Sequence, residues 1–198
     1  IVCARLARAF GLPIPNHGYI YIDPSLLRYS AEWQSKLGPD DSFALEHVPE
    51  STELKYSQVS EIREDLQKSV FIFDYWIGNS DRQLGPAGGR VNLLMIDDAP
   101  GLILIDHNQA FKWPVHEDEF MRNHVFGIEN RPWRLDMLDK VEYQRRMRET
   151  AVWLRSFCSD IPPGWFQDHG DESFQELLTQ IEQQLMRFES NDFWGGLQ

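Results

Sequence analysis

Asp81 and Asp106, with Asn79 and Asn92, are the residues of this chain best suited to chemistry on a phosphate. Phosphoryl transfer needs one carboxylate to accept or orient the proton of an attacking hydroxyl. It also needs a second carboxylate and a carboxamide to hold Mg²⁺ against phosphate oxygens. Taken singly, Asp81 reads as a turn acid that caps backbone N–H groups, and Asp106 as an ordinary strand-end residue. Taken together with the two asparagines and the elements between them, they read as one constellation.

The elements around them would fix their positions. Val59, Ile62, Leu66, Val70, Phe73 and Ile77 recur at threes and fours, which predicts a helix packing one face and ending at Gly78-Asn79. The loop Asn79-Ser80-Asp81-Arg82 follows. The apolar runs 91–96 and 102–105, with Asp97-Asp98-Ala99-Pro100-Gly101 between them, predict a β-hairpin. That hairpin would return Asp106 to the edge that carries Asp81, and rigid anchors on both sides suit a reaction that works by positioning and charge neutralisation.

Elsewhere the pattern is plainer. Residues 1–10 read as a helix closed by Gly11 and Pro13, with short strands at 19–22 and 43–45, the second after the turn Gly38-Pro39-Asp40-Asp41. Residues 47–57 are polar and read as a loop. A helix from Met137 to about Phe157 precedes the break Ile161-Pro162-Pro163-Gly164. Ser173 with Glu176 reads as a capping box opening a terminal helix, and Gly195-Gly196 as a loose end. His116, Glu117, Asp118 and Glu119 read as a solvated acidic loop, and His107 as a buried, hydrogen-bonded imidazole.

The composition limits the partners. Among 198 residues, 31 acidic side chains against 19 basic ones give a net charge of −12, a field that repels nucleic acid and anionic membrane. The densest basic run, Arg145-Arg146 with Arg148, reads as a solvated helix face. The acidity does not exclude ATP, because bound Mg²⁺ alters the local charge balance. Two cysteines form no disulfide framework or zinc site, and Cys3 reads as core. No apolar run approaches the ~18 residues of a membrane span, and no signal-peptide pattern is present, so a cytoplasmic protein is expected. The chain opens on Ile1-Val2-Cys3 inside a helical pattern, so the protein is expected to begin upstream.

Phe73-Asp74-Tyr75-Trp76-Ile77-Gly78-Asn79-Ser80-Asp81-Arg82, then Val91-Asn92-Leu93-Leu94, then Ile105-Asp106-His107 resembles the catalytic and metal-binding stretch of HipA-like kinases. The pattern is shared more loosely with phosphatidylinositol 3/4-kinase relatives. Arg5 through Pro15 resembles the helix and exit turn of that family's N-lobe, and Ile161-Pro162-Pro163-Gly164-Trp165 its C-terminal end.

The resemblance implies an α+β fold of protein-kinase-like type, with a partial N-lobe and hinge over residues 1–46 and a mainly helical C-lobe over 47–198. It implies Asp81 as catalytic base, Asp106 as metal ligand and Asn92 as second metal ligand, with ATP and Mg²⁺ as cofactors. Phe43 and Glu46 would form the hinge that touches adenine. The acceptor would be a protein Ser or Thr, and an antitoxin or other regulatory partner is implied by family habit.

The chain departs from the pattern in two places. The family's Asn about five residues after the catalytic Asp falls here on Pro86, inside the remodelled stretch Gly85-Pro86-Ala87-Gly88-Gly89-Arg90, and Gln83 stands where relatives often have His. No glycine-rich phosphate loop or strand-borne Lys is visible. A pseudokinase or binding module without turnover is therefore the alternative, and a phosphoinositide kinase-like activity a second one.

Overall fold

The structure is a computed structural model that describes residues 1–37, 41–96, 101–112, 116–162, 165 and 171–197. Two compact units result. The smaller comprises Pro15–Pro49 with Ile1, and the larger Val2–Ile14 with Glu50–Gln198.

In the larger unit, helix α1 (Val2–Ala9) buries Ala4, Leu6 and Ala7. Gly11, at φ 90°, closes its end, and Leu12 N–H returns to the Ala7 carbonyl. The expected division at residue 46 placed this helix with the small lobe. It packs instead with the larger unit, because its apolar face matches the helices that follow.

The smaller unit pairs β1 (His17–Tyr21) with β2 (Asp41–Leu45) as an antiparallel ribbon in which Tyr19 faces Phe43. Two short helices lie between them in sequence. Asp23 caps α2 (Pro24–Leu27) through the Ser25 N–H at 2.7 Å, and Ser30 caps α3 (Ala31–Lys36) through the Trp33 N–H at 3.2 Å. The turn expected at 38–40 lies outside the described residues.

The stretch read as a polar loop contains structure. β3 (Ser51–Glu53) is followed by a 3-10 turn over Tyr56–Glu61. Helix α4 (Glu64–Ile77) therefore begins after Val59 and Ile62, which the periodicity had counted into it. It is also no one-faced helix. From Ser69 to Ile77 every residue is buried, so α4 is the central rod of the larger unit. Phe10, Phe73 and Trp76 stack around one side of it, and Phe71, Phe120 and Trp133 around another. Gly78 ends the helix at φ 67°, a left-handed position that favours glycine.

The expected hairpin is present as β4 (Leu93–Ile96) and β5 (Gly101–Leu104), shorter than its apolar runs. Its turn at 97–100 lies outside the described residues. β3 adds to it, giving the order β3-β4-β5, all antiparallel. Leu93, Met95, Leu102 and Leu104 are buried, and Leu104 N–H bonds the Pro13 carbonyl at 2.9 Å.

The acidic residues after His116 form helix α5 (Glu117–Asn123) rather than a loop, because Phe120 buries against Phe71 and Tyr75 of α4 and Met121 is buried beside it in sequence. The long helix expected from Met137 divides into α6 (Met137–Ala151) and α7 (Leu154–Cys158). Asp136 caps α6 by accepting the Leu138 and Asp139 N–H groups. Arg146 is not solvated: its guanidinium lies over the Phe10 ring at 4.2 Å and donates to the Phe10 carbonyl. Helix α8 (Asp171–Leu185) starts two residues before Ser173. The presumed loose end carries α9 (Asn191–Gly195), anchored by buried Phe193, Trp194 and Leu197. The described residues thus make a mixed α+β chain, rich in helix, with two small antiparallel sheets. No helix among them is long and apolar enough to cross a membrane.

Candidate active site

Asp74 is the one acid in the apolar second half of α4, and it is fully buried. A lone buried carboxylate is costly unless paired. Its partners come from the loop that follows. Asn79 Nδ2 donates to Asp74 Oδ1 at 2.9 Å, and Arg82 Nε donates to Oδ2 at 2.6 Å. His124 Nε2 reaches the same Oδ2 at 3.1 Å. Phe126 N–H donates to His124 Nδ1 at 3.0 Å, so that nitrogen accepts and the proton sits on Nε2.

Arg82 is fully buried too, and its remaining donors reach the residues just before the first strand of the hairpin and just after the second. Nη1 donates to the carbonyls of Asn92, of Val91 at 3.3 Å and of Ile105 at 3.5 Å. Nη2 faces His107 Nε2 at 3.2 Å. Only a guanidinium has donors enough for a carboxylate, three carbonyls and an imidazole at once.

The electrostatics follow from this crowding. Burial alone would raise the Asp74 carboxyl, but Arg82 and the His124 hydrogen bond hold it well below the ordinary carboxylate range. Burial, reinforced by the Arg82 cation, pushes the His107 imidazole down to about 3. Burial also lowers His124, against the pull of Asp74. Both imidazoles are neutral at neutral pH, which suits the acceptor role of each.

The working edge sits on this anchor. Asp81, half-buried, precedes Arg82 directly, and Asn92 Nδ2 lies 3.5 Å from its Oδ2. Asn92 has φ 49°, a left-handed conformation that asparagine tolerates better than most residues. Its carbonyl accepts the Ile105 N–H at 3.1 Å, one residue before Asp106. Asp106 is exposed at φ 46°, and its Oδ1 accepts the Asn108 N–H at 3.2 Å. The loop beyond it returns to α4, where Phe111 N–H bonds the Ile77 carbonyl at 2.8 Å. The segment carrying Asp106 is thus tied at one end to Asn92 and at the other to the helix end that launches Asp81.

Asp81 and Asn92 are therefore in direct reach of one another, and Asp106 joins them through main-chain bonds. Phe43 and Glu46 belong to the smaller unit. There the Phe43 ring is half-exposed, 6.2 Å from the His17 ring, and Glu46 accepts the Asn16 amide at 2.6 Å. Among the described residues no group of three or more His, Cys, Asp or Glu gathers as a metal cage. The reading of the sequence missed Asp74 and His124 as anchors and gave Arg82 no work. An acid within the apolar run 70–77 was the available signal for Asp74; His124 offered none.

A buried helix, an acid on its exit loop, a two-strand return and a second, exposed acid make a polar edge on a mixed helix and strand scaffold. A family model described as HipA-like kinase matches residues 1–197. The chain belongs to the HipA-like kinase family, which supports a kinase at the level of the family. A search among curated proteins gives no match.

Proposed function

We propose that this chain transfers the γ-phosphoryl group of ATP, with Mg²⁺, to a Ser or Thr hydroxyl of a protein. The observation that carries the reading is the Arg82 clasp, which holds Asp81, Asn92 and the strand end before Asp106 as one unit. In this reading Asp81 accepts the hydroxyl proton as the acceptor oxygen bonds to the γ-phosphorus. The bond from that phosphorus to the β,γ-bridging oxygen breaks, and its electron pair leaves with ADP.

Asp106 and Asn92 offer hard oxygen donors of the kind Mg²⁺ takes together with phosphate oxygens and water. Mg²⁺, when bound, would neutralise charge on the transferring phosphate. The test compares ATP consumption and phosphoprotein formation in the wild type, Asp81→Ala and Asp106→Asn. Each substitution is expected to lower the rate by about 10³-fold, or about 4 kcal/mol of barrier. Equal rates in all three would defeat the assignment.

A nucleotide-binding module without turnover is the second reading, favoured by Pro86 standing exposed where relatives carry an Asn. Thermal stabilisation by ATP·Mg²⁺ in a chain that moves no phosphate would select it.

A further inference from the structure

The main chain is fixed on both sides of Asp81 and turns on one peptide between them. On the entry side Asn79 is buried, its N–H on the Asp74 carbonyl at 2.8 Å and its amide on the Asp74 carboxylate at 2.9 Å. On the exit side Arg82 is buried, and its carbonyl accepts the Val125 N–H at 2.9 Å. Exposed Ser80 and half-buried Asp81 bridge the two.

The peptide between Ser80 and Asp81 is a rigid plane carrying the Ser80 carbonyl and the Asp81 N–H. Paired changes in the ψ of Ser80 and the φ of Asp81 rotate it without moving the residues on either side. The rotation swings the Asp81 nitrogen, and with it the bond from Cα to Cβ that aims the carboxylate. Among the described residues the Asp81 N–H has no hydrogen-bond acceptor. The Ser80 carbonyl has one donor, the Gln83 side-chain amide, with Nε2 at 3.0 Å. We infer that Gln83 is the positioning residue of Asp81: by holding the Ser80 carbonyl it fixes the direction in which the acid meets the acceptor hydroxyl. The inference rests on the kinase reading above.

The carboxylate has little else to aim it. Asn92 Nδ2 is its one side-chain partner among the described residues, at 3.5 Å, the outer limit of a hydrogen bond. The Arg82 clasp grips the main chain that follows Asp81 and leaves the plane before it free to turn.

Gln83 is suited to the task because its own main chain is held. Its N–H donates to the Arg90 carbonyl at 2.7 Å, and it pairs with His124 across an isolated β-bridge. Gly89 lies so close to the Gln83 carbonyl that a Cβ there would collide with it. A side chain that reaches back three residues from so fixed a point carries that fixity to Ser80. A water molecule in its place would satisfy the carbonyl without fixing it.

Gln83→Met keeps the length of the side chain and removes the donor. Ser80 is exposed, so water takes over its carbonyl and the urea midpoint should not change. The measurement is ¹⁵N relaxation of the full chain without nucleotide. In the wild type the Asp81 amide should show an order parameter of about 0.85, like those of Asn79 and Arg82. In Gln83→Met the value at Asp81 should fall below about 0.6 while the other two keep theirs. At saturating ATP the transfer rate should fall about ten-fold, with the KM for ATP within about two-fold of the wild type, because the plane aims the acid and binds nothing.

An Asp81 amide equally ordered in both proteins, or mobile already in the wild type, overturns the inference whatever the transfer rate. So does phosphate moved at one and the same rate by both when the Asp81 amide has loosened. The kinase reading fails separately. A wild type that moves no phosphate, with an Asp81 amide that is ordered and then released by Gln83→Met, removes the reaction and leaves Gln83 as the group that fixes the acid.

Discussion

The anchor under the site and the edge above it are made of similar residues used in opposite ways. Asp74, Arg82 and His124 are buried, and each is spent on the others or on main-chain carbonyls. Asp81, Asn92 and Asp106 are half-buried or exposed, and two of them occupy left-handed conformations. The anchor contributes stability and geometry, while the edge keeps carboxylate oxygens turned to use. Proteins that do chemistry concentrate strain and unspent polarity where the reaction occurs, and hold it with a satisfied network beneath.

The sharpest way to break that contrast is to remove the clasp. Arg82→Leu leaves the Asp74 charge buried without its cation and the Val91 and Ile105 carbonyls without the Arg82 donor. A loss of about 3–5 kcal/mol of unfolding free energy is expected in urea denaturation, together with loss of phosphoryl transfer. Asp81→Ala and Asp106→Asn, which lower transfer about 10³-fold in the proposed mechanism, should change stability by no more than about 0.5 kcal/mol. Asparagine tolerates the left-handed backbone of position 106. If the edge variants proved as unstable as Arg82→Leu, the division between anchor and edge would be wrong.

The edge was more legible in the sequence than the anchor. Asp81, Asn92 and Asp106 stand at loop and strand ends bounded by strong apolar periodicity, so helix α4 and the hairpin could be seen and the acids placed at their exits. The anchor depends on contacts distant in the chain. His124 lies fifty residues from Asp74 and follows a helix that the sequence presented as an acidic loop. Phe120 helps make α5 a helix only because Phe71 and Tyr75 of α4 are there to cover it, which is a tertiary fact. β3 was hidden for the same reason: Ser51-Thr52-Glu53 has no alternating pattern and becomes a strand by pairing with β4. The left-handed φ at Asn92 and Asp106 left no trace that spacing could show.

A second, smaller effect lies in acid. Between pH 6.5 and about 3 the unfolded chain protonates His107 while the folded protein, with its imidazole lowered to about 3, does not. Stability from this source is complete above pH 6.5 and is lost as the pH falls toward 3. The lowered carboxyl of Asp74 works in the same direction, below its ordinary value of 3.8. The urea midpoint should therefore drop as the pH is taken from about 7 to about 4.5. His107→Gln keeps an acceptor for Arg82 but cannot titrate, and should flatten that slope. An unaltered slope would show that His107 lies outside the anchor.

The smallest expected effect decides which asparagine serves the edge. Family spacing puts a carboxamide at position 86, where this chain has proline in a loop closed by Gly85 and Gly88. Asn92, by contrast, touches Asp81 and is bound through its carbonyl to Arg82. If Asn92 does the work, restoring the family residue with Pro86→Asn should change the transfer rate by less than about two-fold. Asn92→Gly, which removes the amide and accepts φ 49° without strain, should lower it about 10²-fold. Raising Mg²⁺ should recover part of the Asn92→Gly loss and do nothing for Pro86→Asn, because only the former would lack a ligand. A large gain on Pro86→Asn would instead mean that the loop can still reach the metal, and that the remodelled stretch Gly85–Arg90 is a damaged catalytic loop.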